Sequence, residues 1–197
     1  MRRLETKWGG CGMSEWIQTS IGNVVKINAN SIDKNYHHQN IYYLDTSSLT
    51  RNHISGYLHM KLSDAPTRAR RLVECGDVLY STVRPNQRHY GFISSPPPFN
   101  LVVSTGFAVI HPDNSRIIPH YLYYWLTQDC IVDRLSSIAE LAVTAYPSIS
   151  PDDIKSLKIC YPADVCEQQS IADVLSCLDS KIEINRKLNH NLALLAA

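Results

Sequence analysis

The sequence has no run of apolar residues near the roughly 20 that a helix needs to cross a bilayer. Its first dozen residues, MRRLETKWGGCG, lack the apolar stretch of a secretory signal. Both absences point to a soluble, cytoplasmic protein. Charged residues make up only 19% of the chain, too few for disorder, and hydrophobic residues 44%, enough to build a core from 197 residues. The six cysteines (Cys11, Cys75, Cys130, Cys160, Cys166, Cys177) form no C-x-x-C pair. They therefore read as reduced, small hydrophobes of a cytosolic protein, not as zinc or redox ligands. The eight histidines form no ligand cluster, and His37-His38 reads as a polar loop pair.

The common catalytic signatures are missing as well: there is no G-x-S-x-G, Walker loop, G-x-G-x-x-G or H-E-x-x-H. The N/D-P-P-Y/F motif of adenine methyltransferases is absent too, since Pro97-Pro98-Phe99 lacks the leading Asn or Asp. One arrangement imitates a metal nuclease: Pro112-Asp113 followed by Asp153 and Lys155. That chemistry needs two carboxylates and a lysine at neighbouring strand ends around Mg²⁺. Ser150-Pro151-Asp152-Asp153 reads instead as a helix start, with an N-cap serine, proline in the first position and acids in the first turn. An enzyme is the weaker reading.

A net charge of +1 hides an asymmetry: residues 1–90 carry +5 and residues 91–197 carry −4. The basic excess centres on Lys61, Arg68, Arg70, Arg71, Arg84 and Arg88, which suits a phosphate-binding face. The acidic half suits a surface turned toward protein. Ten prolines, eight glycines and eleven tyrosines point to a loop-rich fold with strands.

Along the chain, residues 1–13 read as a leader or tag-like segment. Trp16, Ile17 and Ile21 before Gly22 suit a short helix or turn, and Val24, Val25 and Ile27 begin a strand. Residues 28–40 are a polar loop, and residues 41–49 start as a strand. Residues 60–75 read as loop with a short extended piece. Gly76-Asp77 makes a turn into the β-rich run 78–83, which Arg84 and Pro85 end. Residues 90–94 and 101–110 are two more strands, 120–128 and 130–139 two helices, and 157–162 a late strand. Residues 167–195 contain neither Gly nor Pro. Ile171, Leu175, Leu178 and Ile182 alternate steps of four and three, and Asn185, Asn189 and Leu192 continue that seam. This is heptad spacing for a helix that pairs with another helix, where a seam Asn fixes register. At about 1.5 Å per residue the segment reaches about 43 Å, so part of it projects from a domain of this size.

The loop STVRPNQRHYG (residues 81–91) gathers Arg84, Asn86, Gln87 and Arg88. Arg reads guanine edges, and Asn and Gln read adenine. An ordinary polar hairpin loop has the same composition, and the residues alone leave both readings open.

Five segments taken in order, PTRARRLVECGDVLYSTVRPN, LVVSTGFAVIHP, YLYYWLTQ, TAYPSISPDDIKSLKICYP and EQQSIADVLSCLDSKIEINRKLNHNL, resemble the specificity subunit of type I restriction–modification enzymes. The resemblance runs from about residue 14 to the end. It implies an α+β fold: a loop-rich, mixed β-sheet target recognition domain (14–163), then a long C-terminal helix of coiled-coil type (164–197). It implies a non-catalytic subunit that reads half of a split site on double-stranded DNA. Such a subunit docks methyltransferase and restriction subunits, which hold S-adenosylmethionine, Mg and ATP; this chain holds no cofactor and no metal. A whole subunit has two recognition domains and two antiparallel helices. One of each implies a fragment or a half-subunit, and a half-subunit would form a homodimer through its helix and read a symmetric site. DNA contacts are expected from Lys34, Tyr36, Arg68, Arg70, Arg84, Asn86, Gln87 and Arg88, and from Thr144, Tyr146 and Ser148 of the TAYPS turn. Helix pairing is expected from Ile171, Leu175, Leu178, Ile182, Asn185, Asn189 and Leu192. The competing reading is a helical oligomerisation or docking module without DNA specificity of its own.

Overall fold

The computed structural model describes residues 2–4, 15–98, 100–141 and 147–195. Among the described residues, thirteen strands run in chain order: β1 (Arg2–Leu4), β2 (Trp16–Ser20), β3 (Val25–Ile27), β4 (Asn40–Leu44), β5 (Leu49–Thr50), β6 (His53–Ile54), β7 (Leu58–Lys61), β8 (Ala69–Leu72), β9 (Val78–Ser81), β10 (Tyr90–Phe92), β11 (Leu101–Ser104), β12 (Phe107–Pro112) and β13 (Lys158–Pro162). The helices are α1 (Pro119–Leu126), α2 (Asp129–Leu141), α3 (Pro151–Ser156) and α4 (Val165–Leu195). The α+β class expected from the sequence is the class observed.

Two four-stranded sheets, β10-β9-β12-β3 and β7-β4-β11-β8, share an apolar layer. Leu79, Phe107 and Val109 from one sheet meet Leu44, Leu101 and Val103 from the other. On the far side of the first sheet, Val78, Tyr80, Ala108 and Ile110 enter the main core with α1, α2 and β13. On the far side of the second, Ile41, Tyr43, Ala69 and Val102 form a smaller core. Strands buried on both faces read as continuous apolar runs without alternation. Residues 101–110 are therefore not the single strand expected. They are β11 and β12, split by Thr105-Gly106 and belonging to different sheets.

Residues 16–20 also differ from the expected helix or turn. They form β2, paired antiparallel with β13 along Trp16–Ser20 and with β1 on its other side. A partner 138 residues away, Lys158 for Ser20, decides the conformation, which local pattern does not encode. The helix start at Ser150 is as expected. Ser150 and Asp153 close a capping box around Pro151, with the Asp153 amide on Ser150 Oγ at 3.2 Å and the Ser150 amide on Asp153 Oδ2 at 2.7 Å.

Helix α4 has 31 residues and is about 46 Å long at 1.5 Å per residue. Its base lies against α1, with Ala172 buried and Ile171 packed on the main core. Gln168 is wholly buried there. Its Nε2 donates to the Arg116 and Pro162 carbonyls (3.0 and 2.9 Å), and its Oε1 accepts from the Ile118 amide (2.9 Å). One side chain thus satisfies three backbone groups on two segments and locks the helix to the domain. Beyond that clamp, Leu178, Ile182, Ile184, Leu188 and Leu192 are all about half exposed or more.

Candidate functional site

A continuous path of backbone hydrogen bonds defines one rim of the domain. Strand β8 is an edge strand, covered by residues 30–32: the Ile32 amide donates to the Arg70 carbonyl, and Leu72 to Asn30. The Arg68 carbonyl accepts from Thr105 (2.7 Å), and the Gly106 carbonyl from Thr82 (2.8 Å). Val83 then pairs with Ser148. Arg68, Arg70, Arg84 and Ser148, far apart in sequence, are strung along this path at the β11–β12 turn. The close approach there leaves no room for a side chain at 106: a Cβ on Gly106 would stand 2.9 Å from Thr46 Cγ2.

The pairing of β8 with β11 slips at one point. Arg71 faces Val103, but Ala69 faces Ser104, so Arg70 is an extra, bulged residue. The bulge leaves Ala69 buried and Arg70 exposed. Arg71 is half buried, and burial lowers its pKa. Lys34 is exposed on the loop that borders β8. Tyr36 is half buried against the small core, edge-on to His38 with ring centres 5.1 Å apart, and burial raises its pKa.

The loop 84–88 leaves the rim and packs on α2. It is a single 3-10 turn over Pro85–Gln87 with Pro85 buried, and its flanking residues Arg84 and Arg88 both adopt left-handed backbone angles (φ 47° and 58°). Arg51, in the two-residue turn between β5 and β6, is a third left-handed arginine (φ 45°), and its amide donates to the Arg88 carbonyl at 3.0 Å. Left-handed non-glycine residues cost energy and gather where geometry is functionally constrained. Asn86 and Gln87 are exposed, with Gln87 Oε1 3.2 Å from His89 Nε2. Arg88 is bonded to Asp129 at the start of α2, and that bond raises its pKa. Thr144 and Tyr146 lie outside the described residues.

Two arginines expected to meet a polyanion are thus held by carboxylates, in opposite senses. The Arg68 side chain is 55% exposed and its partner Asp45 19%, at 2.8 Å. The Arg88 side chain is 24% exposed and its partner Asp129 78%. Asp45 anchors an outward guanidinium, whereas Asp129 covers an inward one.

The helix-pairing residues divide. Ile171 packs on its own domain, and Leu175 borders an apolar groove of about 390 Å³ with Tyr124 and Trp125 of α1. The inner end of the expected seam is therefore partly committed to the chain's own core, because the helix must dock before it can project. Leu178, Ile182, Asn185, Asn189 and Leu192 are exposed. A cleft of about 730 Å³ opens between the β5–β6 turn, α1 and α4, lined among others by Arg51, His53, Tyr124, Asp179, Glu183 and Arg186.

The residues of the nuclease-like spacing are each engaged locally. Asp113 accepts from the Ser115 amide and hydroxyl, which hold its carboxyl below the usual range; Asp153 serves the α3 box; and Lys155 pairs with Asp152 at 2.9 Å. Among the described residues, no three His, Cys, Asp or Glu side chains converge as a metal site would, and no helix is long and apolar enough to cross a membrane.

The type I restriction modification DNA specificity domain family matches residues 13–194. This chain belongs to that family. The type I specificity domain described here is 32% identical over 187 residues to the HindI specificity subunit of Haemophilus influenzae, covering 93% of this chain and 39% of that protein. A chain solved in work on complex assembly and conformational transition of the type I R-M system superposes with a TM-score of 0.73 at 25% identity, covering 87% of this chain and 44% of the other. The HsdS subunit of Thermoanaerobacter tengcongensis shares the fold, with a TM-score of 0.72 at 24% identity over 88% of this chain and 44% of the other. The specificity domain thus spans about two-fifths of the length of these relatives.

Three side chains that shape this region carry little signal in the sequence. Gln168 looks like any polar helix residue, and only its position in the EQQSIA segment marks it. Arg51 carries no local signal beyond the Arg-Asn pair of a two-residue turn. The Asp45 partner of Arg68 is 23 residues distant.

Proposed function

We propose that this chain is the DNA-reading part of a type I restriction–modification enzyme. It does no chemistry itself, works in the cytoplasm, reads one half of a split site on double-stranded DNA, and docks methyltransferase and restriction subunits. Those subunits hold the S-adenosylmethionine, Mg and ATP. The projecting part of α4 pairs antiparallel with the α4 of a second copy through Leu178, Ile182, Asn185, Asn189 and Leu192, so that two domains read a symmetric site.

The observation that carries the reading is the rim at the β11–β12 turn. It presents Arg70 from the edge strand, Arg68 from the turn before it and Lys34 from the bordering loop, all exposed, in a chain of a DNA specificity family. Basic side chains on such a rim neutralise phosphates and release counterions, which gives affinity and sets the register from which base edges are read. Arg84, Asn86 and Gln87 extend the rim toward α2, while Arg88 acts as a strut between that turn and Asp129.

The test is duplex binding by this chain, together with its methyltransferase subunit, over a series of salt concentrations. Affinity falls with log salt at a slope of about −0.9 per phosphate neutralised. Lys34→Ala and Arg70→Ala each lower that slope by about one. Slopes unchanged in both variants would move the DNA face elsewhere. A chain that binds its partner subunit tightly and shows no salt-dependent affinity for DNA would favour the docking-module reading, which the exposed apolar row of α4 supports.

A further inference from the structure

We infer that Arg68 reads a guanine and that Asp45 is the positioning residue that makes it do so; this rests on the DNA-reading function proposed above. A guanidinium distinguishes guanine by presenting two parallel N–H donors to O6 and N7. A free arginine on a surface loses several rotatable bonds of freedom to adopt that pose, so a carboxylate that fixes it beforehand converts a general cation into a reader.

Asp45 meets the requirements. It is itself immobilised: its Oδ1 accepts the Thr46 amide at 2.8 Å, capping a short 3-10 turn, and the Tyr43 hydroxyl reaches the same oxygen at 3.4 Å. Its other oxygen, Oδ2, takes Arg68 Nη2 at 2.8 Å. The carboxylate is the inner partner and the guanidinium the outer one, with side chains 19% and 55% exposed. Arg68 has five N–H donors, so one bond to Asp45 leaves four for a ligand. Its backbone is held too, through the Thr105 amide, in the turn immediately before the bulged edge strand of the rim. Arg88–Asp129 lacks this architecture. There the acid is 78% exposed and the arginine 24%, so the acid screens the arginine from an incoming polyanion.

The experiment is selection from a pool of randomised duplexes by this chain with its methyltransferase subunit, followed by sequencing of the bound fraction. The wild type, Asp45→Asn, Arg68→Ala and Arg68→Lys are compared. Asp45→Asn keeps an oxygen for the Thr46 amide and loses only the anionic partner of Arg68, so the turn stays intact. The expected result is a selected motif with a guanine whose preference drops roughly tenfold or more in Arg68→Ala. The same position alone weakens in Asp45→Asn, where affinity for unselected DNA is kept or raised because a negative charge is gone. Arg68→Lys loses the guanine while keeping the salt dependence.

If Asp45→Asn keeps the full guanine preference that Arg68→Ala loses, Asp45 does not position the reader. If Arg68→Ala weakens binding equally at all sequences, Arg68 touches phosphate, and the inference fails while the DNA-reading function stands. A wild type that selects no motif at all overturns that function itself.

Discussion

Replacing Gln168 by Leu keeps a side chain of similar volume at the base of α4 and removes every polar atom. Left behind are the Ile118 amide and the Arg116 and Pro162 carbonyls, all previously bonded to a residue with no exposed surface. A buried group stripped of its partner costs about 1–3 kcal/mol. The orphaned amide has no second partner, whereas a carbonyl has two lone pairs and suffers less. The sum is therefore about 4 kcal/mol, a large part of a domain stability of about 5–15 kcal/mol. Urea unfolding followed by tryptophan fluorescence reads it directly, because Trp125 borders the groove where Ile171 and Leu175 of α4 lie. With a urea dependence of about 3 kcal/mol per molar, the midpoint falls by more than about 1 M. Gln169→Leu, one residue on and exposed, makes only a helix-face bond to Asp173 and shifts the midpoint by less than about 0.2 M. A Gln168→Leu midpoint within about 0.3 M of wild type would show that the clamp does not hold the helix to the domain.

The exposed and docked parts of α4 separate experimentally. Leu178→Asp with Ile182→Asp abolishes helix-mediated dimers by light scattering and leaves the unfolding midpoint nearly unchanged. Ile171→Asp lowers the midpoint by the cost of charging a core-packed position; equal effects of the two would refute the division of the helix. A pH effect is expected at Asp77. Burial holds its carboxyl above the usual range despite bonds from the Glu74 amide (2.7 Å) and His111 Nδ1 (2.8 Å). A raised carboxyl pKa means that the fold binds the proton more tightly than the unfolded chain does. Asp77's contribution is thus fully present below the ordinary carboxyl range and lost as pH rises through the raised value. Wild type therefore gains stability relative to Asp77→Asn on acidification from pH 7 to pH 4, and a relative loss would contradict the assignment.

What was legible in the sequence follows from physical range. Helix α4 was readable because continuous helix-compatible residues and a 3.5-residue apolar repeat are local signals, and the α3 start because a capping box spans four residues. The split of residues 101–110 was not. Burial on both faces of both sheets erased the alternation that would have marked two strands, and Ser-Thr-Gly is a weak turn signal. The rim was half legible: composition singled out Arg68, Arg70 and Arg84, but the bulge at Arg70 and the carboxylate partners arise only when distant segments meet. The loop 84–88 had the right composition for reading bases, yet its Arg88 is turned to α2 by a bond to a residue 41 positions later.

If the chain reads DNA as proposed, its basic rim discriminates sequence and does not merely bind charge. Competition binding at about 0.15 M salt, with the chain and its methyltransferase subunit, a selected duplex and a shuffled duplex of equal length, tests this directly. The expected result is at least about a thousandfold preference for the selected duplex. Equal affinity for the two would contradict it, leaving the rim an electrostatic surface without a code.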